Sequence, residues 1–282
     1  MPRYDPAYQD AMYNNRALVP EHPMLFQRWA GESESARRLN SRRLDLRYGS
    51  GPNETLDIFP SPRRDAPVLV FIHGGWFRAL DKADHSFVAP PFVRRGATVV
   101  VPNYALCPAV SIEQIVMQMV LALQWTYRHI ALYGGNPQRI VVAGHSAGGH
   151  LAAMMAACRW RAFDAALPDD LVKGAVAVSG LFELESVMHT PHLQGDLQLT
   201  PASVRRLSPA WMPAPAGPLL ALVGALESAE FLRQNALIGQ AWGPRTVPVC
   251  EALPERNHFT VLDDLTDPNA RLHQAVCRLL KI

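Results

Sequence analysis

Ser146 stands in "GHSAG", residues 144 to 148, with a glycine two positions away on either side. The apolar run Ile140 to Ala143 leads into it, and the helical-looking "HLAAMMAAC" follows. G-x-S-x-G between a strand and a helix is a nucleophile elbow. Gly144 and Gly148 fall where side chains would collide with the tight turn. Ser146 is then held on strained backbone, its hydroxyl aimed out at the carboxyl ends of the strands. The amide of Ala147, opening the helix, points at any oxyanion formed there. The chemistry this arrangement serves is nucleophilic attack on a carbonyl.

A serine hydroxyl is a weak nucleophile and needs a base, which must itself be oriented. On a strand–elbow–helix scaffold the chain order is serine, acid, histidine. His258, in the loop "PERNHF" after the strand-like "VPVCEAL", is the expected base. His273 lies in the amphipathic "NARLHQAVCRLL" and is expected at the surface or half-buried. The acid should follow the preceding strand, where "PLLALVGALES" puts Glu227 just past Gly224. Glu230 is its near rival and Glu183, after "AVSG", a third candidate; an exposed glutamate at a helix start is also common for ordinary electrostatic reasons.

Further oxyanion donors should come from the loop ending an earlier strand. In "VFIHGGWF", Gly74 and Gly75 let the backbone approach a substrate and turn N–H groups inward. His73 is expected to brace this loop by hydrogen bonds. His145 and His150 are expected to pack beside the elbow rather than to ligate a metal. No metal and no organic cofactor is called for.

The elements that must position these residues are legible. "PVLVFIHGG", "ATVVVPNY", "RIVVAGHS", "VKGAVAVSG" and "PLLALVG" are short continuous apolar runs rich in β-branched residues, the pattern of strands buried on both faces of a parallel sheet. A helix is predicted from Ser111, with Gln114 completing a capping box. Ile112, Ile115, Val116, Met119, Val120 and Leu123 share one face, and "YGGNP" stops it. Strand, helix, strand, helix predicts an α/β fold with helices on both faces of a mostly parallel sheet. "LDLRYGS" and "ETLDIFP" around "GPN" predict an antiparallel edge hairpin. One domain accounts for residues 1–282. Residues 1–43, polar with scattered aromatics, read as an irregular extension near the site, and the long connection 181–217 reads as a lid or cap.

The chain has 282 residues, 49% hydrophobic and 18% charged, with a formal charge of +2. That suits a sizeable core and gives no basic footprint for nucleic acid or an anionic membrane surface. No apolar run is long enough to span a membrane, and no signal-peptide pattern opens the chain, so a cytoplasmic protein is expected. Cys107, Cys158, Cys250 and Cys277 are far apart and read as free thiols. A homodimer is left open.

Taken together, "YNNRALVPEHP", "HGGWFRALDK", "GHSAGGHLAA", "VGALESAEFLRQ" and "RNHF" resemble the arylformamidase (kynurenine formamidase-like) branch of the esterase and lipase group of α/β-hydrolases, in that family's order over nearly the whole chain. The resemblance implies Ser146 as nucleophile, Glu227 as acid and His258 as base, with Gly75 and Trp76 at the oxyanion-loop positions. Two departures stand out. The family motif runs HGG, any residue, then Trp; here Trp76 fills the free position and Phe77 replaces the Trp. The acid is Glu where Asp is common.

The expected function is a serine hydrolase cleaving a small ester or N-acyl (formyl) amide, with Phe77 and Trp211 as candidate pocket residues and Tyr13 and Trp29 as further aromatic candidates. A general short-chain carboxylesterase is the alternative within the class. A ligand-binding protein on the same fold, without turnover, is the alternative outside it.

Overall fold

The computed structural model describes residues 4–282. Its centre is an eight-stranded sheet: β1 (Arg43–Arg47), β2 (Thr55–Phe59), β3 (Ala66–Ile72), β4 (Thr98–Pro102), β5 (Gly135–His145), β6 (Val172–Val178), β7 (Leu219–Gly224) and β8 (Val249–Leu253). The order is β1-β2-β4-β3-β5-β6-β7-β8. β1 and β2 form the expected antiparallel hairpin, β2 runs antiparallel to β4, and every pairing from β4 to β8 is parallel.

Two-sided burial explains the continuous apolar strands. Val68, Val70 and Ile72 of β3 join Ile140 and Val142 of β5 in a core on one face. Leu69 and Phe71 join Val141 and Ala143 in a core on the other. Each such side chain taken out of water contributes about 1.5–3 kcal/mol. The helix Ile112–His129 covers the first face with Ile112, Ile115, Met119 and Leu123. Its capping box is formed: Gln114 N–H donates to Ser111 Oγ at 3.3 Å, and Ser111 N–H donates to Gln114 Oε1 at 2.8 Å. The helix Arg271–Leu280 covers the second face with Leu272, Val276 and Leu280.

The amino-terminal segment differs from expectation. It is helical over Pro6–Tyr13, Asn15–Leu18 and His22–Leu39; residues 1–3 of the predicted extension lie outside the described residues. Asp5 caps the first helix by accepting from Tyr8 N–H, and Asn14 caps the second through Ala17 N–H. The third buries Trp29, Ser33 and Ala36, a stripe at helical spacing in which one residue is polar and one small. A hydrophobic-periodicity search passes over such a face. The connection 181–217 holds the helices Glu185–Met188, Pro191–Leu197 and Pro201–Leu207 and a 3₁₀ turn, Pro209–Trp211.

Tyr13 ties the two segments together. Its hydroxyl lies 2.8 Å from Ser186 Oγ, donates to Glu230 at 3.2 Å and accepts from Gln234 Nε2 at 3.0 Å. Burial pushes this phenol well above its ordinary range, so it remains a donor.

His273 is a second correction. It is fully buried, stacked 4.4 Å from the Phe92 ring, with its Nδ1–H donating to Leu265 O. It belongs to a set of buried histidines whose surroundings disfavour charge. Burial pushes His85 down to about 3 and His150 to about 4, and lowers His73, His145 and His273 as well. Below the ordinary value of about 6.5, the unfolded chain binds protons that the folded chain does not. Stability is therefore expected to rise with pH across this window and to fall as pH drops from about 6.5 towards 4, by roughly 1 kcal/mol per pH unit for each such histidine. Melting temperatures between pH 7.5 and 5, above most carboxylate titration, check it: a flat profile contradicts the buried neutral set.

Candidate active site

β5 runs into the elbow and stops at His145; the helix Ala147–Ala156 starts one residue beyond Ser146. Ser146 has φ 57 and ψ −119, conformational strain that only a well-supported turn retains. The flanking glycines are sterically required. A Cβ on Gly144 would lie 2.0 Å from Gly148 O, and one on Gly148 would lie 2.0 Å from Ile72 O.

Ser146 Oγ is 3.1 Å from His258 Nε2, and His258 Nδ1 is 2.6 Å from Glu227 Oε2. A carboxylate only accepts, so Nδ1 carries the proton and Nε2 is left to accept from the serine hydroxyl. The other Glu227 oxygen accepts from Ser179 Oγ at 2.5 Å and from Gly224 N–H at 2.7 Å. All three members of the chain are buried, at 2%, 4% and 8% exposure for Ser146, His258 and Glu227. The rival carboxylates are engaged elsewhere: Glu230 with Tyr13 and Arg233, Glu183 with Arg233 and the Ser186 amide.

Gly75, Trp76 and Phe77 run consecutively through positive φ, at 108, 54 and 58. Among the described residues, neither the Gly75 nor the Trp76 amide donates to a backbone carbonyl. Ala147, opening its helix, has no intrahelical acceptor for its N–H. His73 braces the loop from below. Its Nδ1 lies 2.8 Å from Gly74 O, its Nε2 lies 3.1 Å from Asn103 Oδ1, and its ring stacks 4.2 Å from Tyr104. Tyr104 Oη–H in turn donates to His73 O at 2.9 Å. His145 Nε2–H donates to His258 O at 2.7 Å, and His150 Nε2–H to Leu207 O. Both histidines therefore fix neighbouring loops.

The serine opens into a cavity of about 330 Å³. Tyr13, Phe26, Trp29, Trp76 and Phe259 supply aromatic wall. Asn14, Asn15 and Arg16 of the amino-terminal helices, Arg78 and, from the Pro191–Leu197 helix, His192 and Asp196 supply polar side chains. Two sequence expectations are corrected here. Phe77 is fully buried, edge-on to His150 at 5.3 Å, and lies in the core beneath the loop rather than on the cavity. The turn of positive φ swings Trp76 to the cavity and carries the next side chain inward. Trp211 is 47% exposed and does not line the cavity; His192 and Asp196 supply this connection's side chains there. Sequence reasoning also missed Ser179, Asn103 and Tyr104. Ser179 and Asn103 carry a weak signal, a small polar residue just past the carboxyl end of a buried strand, where the sites of parallel sheets collect.

Residues 69–234 match the profile of the family described as alpha/beta hydrolase fold. The chain belongs to this family. It is similar to the kynurenine formamidase of Danio rerio, at 28% identity over 260 residues that cover 88% of this chain and 85% of that protein. A crystal structure from Silicibacter sp. tm1040, of a protein proposed to be a thioesterase, superposes with a TM-score of 0.84 at 28% identity, covering 97% of this chain and 98% of that one. An esterase from Pyrobaculum calidifontis, at 18% identity, shares the fold with a TM-score of 0.70 over 98% and 97% of the two chains. Among the described residues no helix is long and apolar enough to cross a membrane.

Proposed function

We propose that this chain is a serine hydrolase of the arylformamidase type, cleaving a small ester or N-formyl/N-acyl bond through an acyl-enzyme. The observation that carries the proposal is the unbroken chain from Ser146 through His258 to Glu227 at the floor of an aromatic cavity. Ser146 Oγ attacks the substrate carbonyl while His258 Nε2 takes its proton. The tetrahedral oxyanion is held by the amides of Gly75, Trp76 and Ala147, worth on the order of 100- to 1000-fold in rate per donor. Collapse expels the leaving amine or alcohol, which receives the proton from His258. Water, deprotonated by the same imidazole, then releases the acyl group and restores Ser146. Glu227 keeps the imidazole in its reactive tautomer and stabilises the imidazolium. The similarity to kynurenine formamidase supports an N-formyl aryl amide as substrate class. In this reading the amino-terminal helices and the 181–217 connection are the cover of the site.

Trp76, directly beyond the oxyanion glycines and facing the cavity, walls the acyl side and leaves room for formyl to short acyl groups. Along a p-nitrophenyl ester series, kcat/KM is expected to peak at about two to four carbons, since each methylene a pocket accepts or rejects is worth roughly 1–3 kcal/mol. N-formylkynurenine assayed beside the series separates a formamidase from a general carboxylesterase. A maximum at about eight carbons or more replaces the short-acyl reading with a lipase-like one.

A further inference from the structure

Two stretches that take no part in the hydrolytic steps, "YNNR" from Tyr13 and "EFLRQ" from Glu230, meet in the structure. The second lies in the helix Ala229–Thr246, which opens two residues beyond Glu227. Tyr13 Oη donates to Glu230 and accepts from Gln234 Nε2, which also donates to Glu183 O at 2.7 Å. Gln234 Oε1 accepts the amides of Phe182 and Glu183 at 2.8 and 2.9 Å, and Arg233 bridges the carboxylates of Glu183 and Glu230 at 2.9 Å each. Buried polar groups that satisfy one another in this way rigidify the elements that carry them. Here those elements are the first amino-terminal helix, the start of the 181–217 connection and the helix after the catalytic acid.

Phe231 sits inside this wall and is fully buried. Its ring centroid lies 4.5 Å from that of His258, 5.6 Å from that of Tyr13 and 6.1 Å from that of Trp76. It is not among the residues that line the cavity, so it does not meet the substrate there. The hydrogen bonds to Glu227 and Ser146 hold the imidazole at Nδ1 and Nε2 alone. They leave the ring free to tilt about the line through those two atoms. Only packing against the ring removes that freedom. His145 and Phe259 contribute to it from 4.8 and 5.4 Å, and Phe231 is the nearest of the three.

We infer that Phe231 is a positioning residue for His258, held in its turn by the Tyr13 network. Docking of the amino-terminal helix Pro6–Tyr13 then completes the alignment of the base as well as covering the site. The inference rests on the hydrolase reading above, in which His258 moves the proton. Misplacing a reacting group by about 1 Å costs on the order of 100-fold in rate, and a loosened tilt costs part of that.

Phe231→Leu keeps apolar bulk and loses the flat ring. It is expected to lower kcat toward a short-acyl aryl ester about tenfold while KM stays within about twofold. The rate of fluorophosphonate labelling should fall in parallel, because Ser146 is activated by the same imidazole. In a His258→Ala background the substitution should move the residual labelling rate by less than about twofold, since no imidazole is left to position. Tyr13→Phe, which keeps the ring and removes the hydroxyl, is expected to lower kcat about threefold at unchanged KM. Melting temperatures establish that each variant is folded, and Phe231→Met, whose flexible chain fills irregular gaps, replaces Phe231→Leu if leucine does not fold. An unchanged kcat in a folded Phe231 variant, a loss confined to KM, or an equal loss in the His258→Ala background overturns the positioning role. A wild-type protein that is neither labelled nor active overturns the hydrolase reading and this inference with it. A labelled wild type whose rate Phe231→Leu leaves unmoved overturns the positioning role alone.

Discussion

Ser146→Ala is expected to lower kcat/KM toward a short-acyl aryl ester by on the order of 10⁴-fold or more, with the fold intact. The substitution removes a single oxygen and keeps the Cβ, so the positive-φ elbow bears the same strain in both proteins. The neighbours that build the elbow, Gly144 against Gly148 O and Gly148 against Ile72 O, are untouched. His258→Ala should be as damaging, because the hydroxyl it faces at 3.1 Å then has no proton acceptor. The members of such a chain act as a unit, so the double variant should be little worse than either single one. Fluorophosphonate labelling reads the same chemistry without turnover: the wild-type protein is labelled and Ser146→Ala is not. Near-normal hydrolysis by a folded Ser146→Ala protein would sink the nucleophile assignment, and absent labelling of the wild type would favour a binding protein on this fold.

The readable parts of this chain are those where steric demand acts on short sequence. A strand buried on both faces must be apolar throughout, so β3 to β7 announce themselves. The elbow needs glycine at two positions for want of space, and that leaves a pattern of five residues. What was hidden depends on three-dimensional placement. The face of the helix His22–Leu39 mixes Trp29, Ser33 and Ala36, because Ser33 there accepts the buried Phe87 N–H. Phe77 and Trp76 are adjacent in sequence, and only the left-handed turn at both residues decides which ring meets the cavity. His273 sits on a helix whose other face is solvated, yet its stripe against Phe92 is fully covered. Ser179, Asn103 and Tyr104 act through partners between 30 and 48 residues distant in sequence, a relation no local pattern encodes.

The choice among carboxylates, open in the sequence, becomes a sharp expectation. Glu227→Gln should cost on the order of 10⁴-fold in kcat, while Glu230→Gln should cost less than about tenfold. An amide at 227 can still accept from Gly224 N–H and Ser179 Oγ through its oxygen, so the side chain keeps its position. Its NH₂ group then faces His258 Nδ1 at the point where Glu227 Oε2 now accepts. Two donors cannot share that contact. The imidazole is driven to the tautomer with the proton on Nε2, which faces Ser146 and can no longer take its proton. The charge that stabilises the imidazolium is lost as well. At 230 the same change removes one partner of Arg233 but leaves Glu183 paired with that guanidinium, and an amide oxygen still accepts from Tyr13. Steady-state rates of the two purified variants, with melting temperatures to confirm folding, decide it. If Glu230→Gln proved the crippled variant and Glu227→Gln stayed active, the base would be oriented from the wall that anchors Tyr13, and the hydrogen-bonded chain at Ser146 would be a packing arrangement without catalytic meaning.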